Sequence, residues 1–324
     1  MSGAIRVCSG ICTRPNKVFL GDKAVLVSII MPSYNHRQYV LQAIESVLGQ
    51  DWPEIDLLVI DDGSSDGSAE LIAEHQRTHG GYRFVSRENK GLVATLNEAI
   101  ASACGEVLCL LASDDYLPPG SLSVRARLLQ TRPECVAVFG DGLKVHGVVQ
   151  SAVRILDERR KRLFAMEDPI PEFINGVNLP IHLLMARRQV FNELGGFDPR
   201  YRRCEDLEIQ LRLFLAGPVR FVDYPVYCYR EHATNTSRVN PHVARGDKVL
   251  CYRKYLEEIP ELAPYRKQIR YRLRRQYLLL GRYLRKTGKG TPFEKELFKG
   301  GWEFAWQDVR LLWHLLCWSF ASKK

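Results

Sequence analysis

Short β-branched runs and longer stretches of helical period alternate from Val25 to about residue 240. Val25–Met31 reads as a buried strand broken by Pro32-Ser33-Tyr34-Asn35, after which Val40, Ile44, Val47 and Leu48 recur at helical spacing. Asp56–Asp61 reads as a second strand, and Asp66 as the N-cap of a helix reaching about Thr78. Tyr82–Ser86, Glu106–Leu111 and Cys135–Gly140 continue the strands, with helices over Leu92–Ala103 and from about Ser121 between them. This alternation predicts βαβ units and an α/β fold on a mainly parallel sheet flanked by helices. Residues 141–180 are basic at Arg159–Arg162 and Pro-rich at Asp168–Pro171, and predict an irregular insertion or a helix pair. Ile181–Ala186 is again strand-like, and Gly195-Gly196-Phe197-Asp198 marks a turn. A helix begins at Glu205-Asp206, and Val219–Tyr229 is a last strand.

After about residue 240 the period is helical throughout. Ile269, Leu273, Tyr277, Leu280 and Leu284 form one apolar stripe. Trp302, Trp306, Val309, Trp313, Leu316 and Phe320 form a second. The chain therefore divides, on sequence, into an N-terminal extension (1–24), an α/β domain (25–240, with halves of about 25–118 and 119–240) and a basic amphipathic helical region (241–324).

Charge sharpens that division. The formal net charge of +9 is not spread evenly, because residues 241–324 hold 19 Lys and Arg against 8 Asp and Glu. Arg266–Lys289 alone carries ten Lys and Arg and no acid. A hydrophobic content of 46% with 26% charged residues excludes a disordered or collagen-like chain. Nine cysteines, an odd number with no C-x-x-C pair, support neither a disulfide framework nor a zinc knuckle and fit a reducing cytosol. Met1–Lys23 has no apolar run long enough for a signal peptide, so the expected location is the cytoplasm.

In parallel sheets ligands bind beyond the carboxyl ends of the strands. Those ends carry Pro32–Asn35, Asp61-Asp62-Gly63-Ser64 and Ser113-Asp114-Asp115, three polar loops on one rim. Paired acids such as Asp114-Asp115 cap or stay solvated in many loops, but they also suit Mg²⁺ or Mn²⁺, which prefer oxygen ligands. The Asp61–Asp66 run has the composition of a plain turn, or of a loop whose carboxylate accepts a hydrogen bond from a nucleobase. Glu205-Asp206 either complements the helix dipole or supplies a general base. His232 alone reads as a packing histidine.

Together these segments resemble family 2 glycosyltransferases of the GT-A fold. Val27–Asn35 and Val59–Asp66 are similar to the family's opening, and Glu88–Leu92 with Asn97 to its next segment. Leu110–Asp115 resembles its D-x-D-type metal motif, Gly195–Asp198 followed by Glu205-Asp206 its E-D motif, and Tyr229–His232 its histidine segment. The resemblance implies inverting transfer of a sugar from a nucleoside diphosphate donor, UDP favoured, to a hydroxyl of a glycan or lipid-linked acceptor. It implies a divalent cation, Mn²⁺ or Mg²⁺, held by Asp115, Asp114 and His232. It assigns the donor to Pro32, Ser33, Tyr34, Asn35, Asp62, Lys90, Asn97 and Asp114. Asp206 is the implied base, with Glu205 the alternative because sequence does not separate neighbouring acids. The implied setting is surface polysaccharide or lipopolysaccharide synthesis.

Two positions depart from the pattern: Ala112 stands where many relatives have an acid, and Leu96 where many have Arg. The first leaves the holding of the ribose open. A sugar-nucleotidyltransferase would have a Gly-rich basic loop where Pro32–Asn35 stands, and an inactive GT-A scaffold would not need all of these acids. Neither G-x-G-x-x-G after a strand nor a P-loop occurs. No nucleic-acid-binding motif accompanies the basic tail. Its residues 266–320 instead suit an inner-membrane surface or a homo-oligomer contact, because Trp-rich amphipathic helices with basic neighbours bind anionic lipid.

Overall fold

The computed structural model describes residues 24–146, 153–232, 241–288 and 292–307, together with Leu311, Trp313 and Leu315. The N-terminal extension before Ala24 lies outside the described residues. The first half runs β1 (Val27–Ser33), α1 (Val40–Leu48), β2 (Ile55–Asp62), α2 (Ser68–His79), β3 (Arg83–Arg87), α3 (Leu92–Ser102) and β4 (Val107–Leu110). The second runs α4 (Ser121–Thr131), β5 (Ala137–Val145), β6 (Val153–Arg154), α5 (Glu158–Arg162), α6 (Ile170–Ile174) and β7 (Leu184–Arg187). It ends with α7 (Arg188–Glu193), α8 (Glu205–Ala216) and β8 (Val219–Arg230). Helices α9 (Pro241–Glu257), α10 (Arg266–Thr287) and α11 (Pro292–Lys299) follow.

The strand order is β3-β2-β1-β4-β7-β5-β6, with β8 also on β5. Strands β1 to β4 are parallel, as the βαβ pattern predicts, and β1 is buried along almost its whole length because helices cover both faces. Two strands depart: the short β6 is antiparallel to β5, and β7 runs antiparallel to both β4 and β5. Strand β7 follows the short helices α5 and α6, the expected helix pair, rather than a crossover helix, and only a parallel partner requires a crossover.

The apolar core continues from the sheet into the C-terminal helices. The α10 stripe Ile269, Leu273, Tyr277, Leu280 and Leu284 is buried in the same cluster as Val249, Tyr252 and Tyr255 of α9. The second stripe behaves differently. Gly300–Gln307 is a 3₁₀ helix, and the buried positions are Phe304, Leu311 and Leu315, while Trp302 and Trp313 are exposed at 38% and 51%. Trp302 lies within the tighter 3₁₀ winding, and the Trp313 ring lies 4.5 Å under the Arg285 guanidinium of α10. Val309, Leu316, Phe320 and the side chain of Trp306 lie outside the described residues. The six described cysteines are free thiols, and among the described residues no helix is long and apolar enough to cross a membrane.

Candidate active site

The loops after β1 and β2 are stitched together by short side chains. Asn35, held at φ +56°, donates its N–H to Ser64 Oγ (2.8 Å) and accepts from the Ser65 N–H (2.8 Å). Asp61 closes its own turn by accepting from the Ser64 N–H and Oγ–H. The N-cap of α2 is Gly67 rather than the expected Asp66, which stands one residue earlier; Asp66 still accepts from the Ser68 N–H, and its other oxygen accepts from the Arg37 N–H. The Asp62 carboxylate turns to the loop after β3, accepting from the Arg87 guanidinium, the Lys90 N–H (2.8 Å) and the Gly91 N–H (2.9 Å). Gly63 permits that approach, since at φ +77° a Cβ would stand 2.8 Å from Asn89 N. Above this framework Tyr34 is exposed, Ser33 Oγ is buried without a partner, and the Lys90 ammonium reaches Glu98 at 3.4 Å.

At the end of β4 a second cluster forms. Asp114 Oδ2 lies 3.1 Å from His232 Nε2 and 3.6 Å from His36 Nε2. His36 is steadied by a 2.8 Å contact between its Nδ1 and Ser113 Oγ, and the His232 ring stacks on Tyr39. Asp115 points the other way, accepting from the Tyr227 hydroxyl (2.8 Å) and the Arg230 N–H (2.7 Å). The Arg230 side chain then donates to the Asp114 carbonyl, and its guanidinium lies 4.6 Å over the Tyr39 ring. Burial, then the charge of Asp114, raises the Asp115 carboxyl to about 7 despite these donors. Behind it His182 packs on Tyr227 with a buried, unpartnered Nε2, and burial lowers its basicity to about 4.

The third part is the acid pair at the start of α8. Glu205 Oε2 is buried without a partner, and burial, then the charge of Asp206, raises its carboxyl to about 7. Asp206 Oδ1 accepts from the Leu207 N–H (2.7 Å), and burial raises its carboxyl too. Asn97 of α3 reaches across to this part. Its amide donates to the Phe197 carbonyl and accepts from the Phe197 N–H, both at 2.8 Å, so it clasps the Gly195–Asp198 turn to α3. Gly196 is required there, because at φ +71° a Cβ would stand 2.6 Å from Asn97 Oδ1.

The structure thus gathers Asp114, Asp115 and His232 in one cluster. Pro32–Asn35 and Asp62 stand on a neighbouring rim, and Asn97 is used on the protein's own backbone. Sequence reasoning passed over His36, Tyr39, Tyr227 and Arg230. His36 directly follows the quoted Pro32–Asn35 run, which was a usable signal; Tyr227 gives none, since a tyrosine in a strand is ordinarily core. Among the described residues no group of three or more His, Cys, Asp or Glu is placed to hold a metal by itself.

A parallel sheet of this order with acids at these strand ends is a GT-A-type nucleotide-sugar transferase architecture. S. aureus TarS 1–349, solved with UDP-GlcNAc, superposes with a TM-score of 0.60 at 17% identity, over 85% of this chain and 79% of that one. Mannosyltransferase PcManGT of Pyrobaculum calidifontis, solved with GDP-Man and Mn²⁺, gives 0.57 at 17% identity, over 96% and 90%. The model of glycosyl transferase family 2 matches residues 28–195, and the chain belongs to that family. Chondroitin synthase of Escherichia coli is 28% identical over 65% of this chain, which spans only 30% of that relative's length.

Proposed function

We propose that the protein transfers a sugar from a nucleoside diphosphate sugar, UDP favoured, to a hydroxyl of a glycan or lipid-linked acceptor, with inversion at the anomeric carbon. The setting we assign is surface polysaccharide or lipopolysaccharide synthesis, which the likeness to a chondroitin synthase supports. The observation that carries the reading is the Asp114 cluster at the end of β4, where one carboxylate oxygen faces two imidazole nitrogens.

That donor set fits a divalent cation. Oxygen and imidazole nitrogen suit Mn²⁺ and Mg²⁺, and in nucleotide sites such ions take one or two protein ligands and complete their shell with phosphate and water. Asp115, its proton affinity raised by burial and then by the neighbouring carboxylate, is a group whose charge a cation would relieve. Asp114 and His232 would hold the ion, with Asp115 behind them; when bound, it neutralises charge on the departing diphosphate. Tyr34 offers an exposed ring for the base at the end of β1, and Ser33 Oγ an unused hydrogen-bonding group.

Asp206 is the base that takes the acceptor hydroxyl's proton, and its burial raises its proton affinity toward the useful range. The unpartnered Oε2 of Glu205 favours a second reading in which that residue is the base. No protein nucleophile is needed, so attack opposite the leaving group gives inversion.

The test is a thermal-shift screen of nucleotide sugars with and without Mn²⁺, followed by NMR of the product anomer. A donor stabilised only with metal, and a product of opposite anomeric configuration, is expected. Retention, or donor binding indifferent to metal, would overturn the reading. The exposed Trp302 and Trp313, beside a helix α10 rich in Arg, support contact with an inner-membrane surface. Sedimentation with anionic liposomes should fall on Trp302→Ala with Trp313→Ala; undiminished binding excludes this face.

A further inference from the structure

Helix α8 starts without a cap of its own: Cys204 stands at the N-cap and makes no side-chain cap hydrogen bond. The donors just before the helix are satisfied from elsewhere. Asp247 of α9 receives the N–H groups of Arg202 (2.7 Å), Arg203 (2.6 Å) and Cys204 (3.2 Å) on one oxygen, Oδ2. Its carboxyl is fully buried, and its Oδ1 has no partner. A buried carboxylate gathering three consecutive backbone amides fixes that peptide segment closely, since buried donors are costly to leave unpaired.

The same face of α9 continues the hold. Lys254 Nζ bridges Asp198 (2.8 Å) and Glu208 (2.6 Å), and the Tyr255 hydroxyl donates to the Leu207 carbonyl (3.0 Å). Positions 247, 254 and 255 share a helix face by their spacing of seven and eight. All of them hold residues 198–208, and Glu205-Asp206 lies within that stretch.

We infer that Asp247 is a positioning residue for the acid pair, and that α9 is a splint on which the acceptor half of the site depends. This rests on the proposed role of Glu205-Asp206. It places no demand on the donor half, whose Asp114 cluster is built from other elements.

The test compares the full-length protein with Asp247→Asn, Asp247→Ala and Tyr252→Phe. The last removes another buried α9 bond, to the Ile174 carbonyl, away from the acid loop. Amide hydrogen exchange at 202–204 should rise most in Asp247→Ala and less in the isosteric Asp247→Asn, whose amide oxygen still accepts. With the donor selected by the nucleotide-sugar screen, kcat should fall about 10²-fold in Asp247→Ala, with donor KM unchanged and partial recovery in Asp247→Asn. Tyr252→Phe should lower thermal stability and leave kcat alone. Unchanged protection at 202–204, or lost protection with unchanged kcat, overturns the inference. Should Asp247→Ala not fold, Asp247→Asn alone decides on the same two readouts. If no donor supports turnover, the proposed function fails separately, and the exchange measurement alone decides the splint. Full activity in Asp206→Asn would remove the base assignment without touching the exchange result.

Discussion

The two halves of the proposed site, donor and acceptor, are held by different means. On the donor side, loops at neighbouring strand ends bind one another: Asn35 to Ser64 and Ser65, Asp62 to residues 87–91, Asp115 to the end of β8. On the acceptor side, the acid pair begins a helix whose entry is secured by α9, more than forty residues later in the chain. The first arrangement follows from the parallel sheet, which brings the C-terminal ends of β1, β2 and β3 together, with β8 closing on Asp115. The second exists only once a separate helix has packed. A site of this kind therefore has a half that the fold supplies and a half that must be braced.

The difference is tested most severely at the acids. Asp206→Asn should cut turnover by about 10²–10⁴-fold while leaving donor affinity nearly intact; equal loss of both would erase the separation between halves. Asp114→Ala should lower turnover by about 10²–10³-fold and abolish the metal dependence of donor binding, which isothermal titration with and without Mn²⁺ reads directly. Loss of turnover with metal-dependent binding retained would move the ion away from Asp114.

Glu205 gives a comparison in pH. Its folded-state carboxyl titrates at about 7, above the 4.5 of an unperturbed glutamate, so the folded protein holds this proton more tightly than the unfolded chain. Stability from this group is therefore present below about pH 4.5 and lost as pH rises through 7, by about 3 kcal/mol. Glu205→Gln should match the parent in thermal stability near pH 4.5 and exceed it at pH 8. If Glu205 is also the base, turnover rises with pH across 7 in the parent, and the substituted protein loses that limb.

The smallest effect expected is at the clasp. Asn97→Ala removes two hydrogen bonds to Phe197, worth about 1 kcal/mol each. It should lower stability by that order and weaken transfer more than donor binding. A loss confined to donor affinity would return Asn97 to the nucleotide.

This contrast also explains what could be read from the chain. The βαβ order, the strand ends and the Asp114-Asp115 pair were legible because parallel strands declare themselves as apolar runs and their polar loops follow directly. The bond of Asn97 to Phe197 was not legible, because an amide's partner is decided by which backbone comes within 3 Å, and Phe197 lies a hundred residues away. Asp247 was invisible for a related reason. It sits in a segment with Arg245, Lys248, Arg253 and Lys254, which reads as a solvated charged helix until packing buries one face. The Trp-rich stripe was legible as a period but not as a set of neighbours: Trp302 and Trp313 are exposed, while Phe304, Leu311 and Leu315 take the buried positions.

The Asn97 clasp has a mechanical meaning beyond its bonds. It ties α3, which stands behind the donor loops, to the turn that leads into the acid pair, so the two sides of the crevice are coupled at their base. The clasp works in that sense as the locked pivot of a caliper, fixing α3 and the Gly195–Asp198 turn against each other.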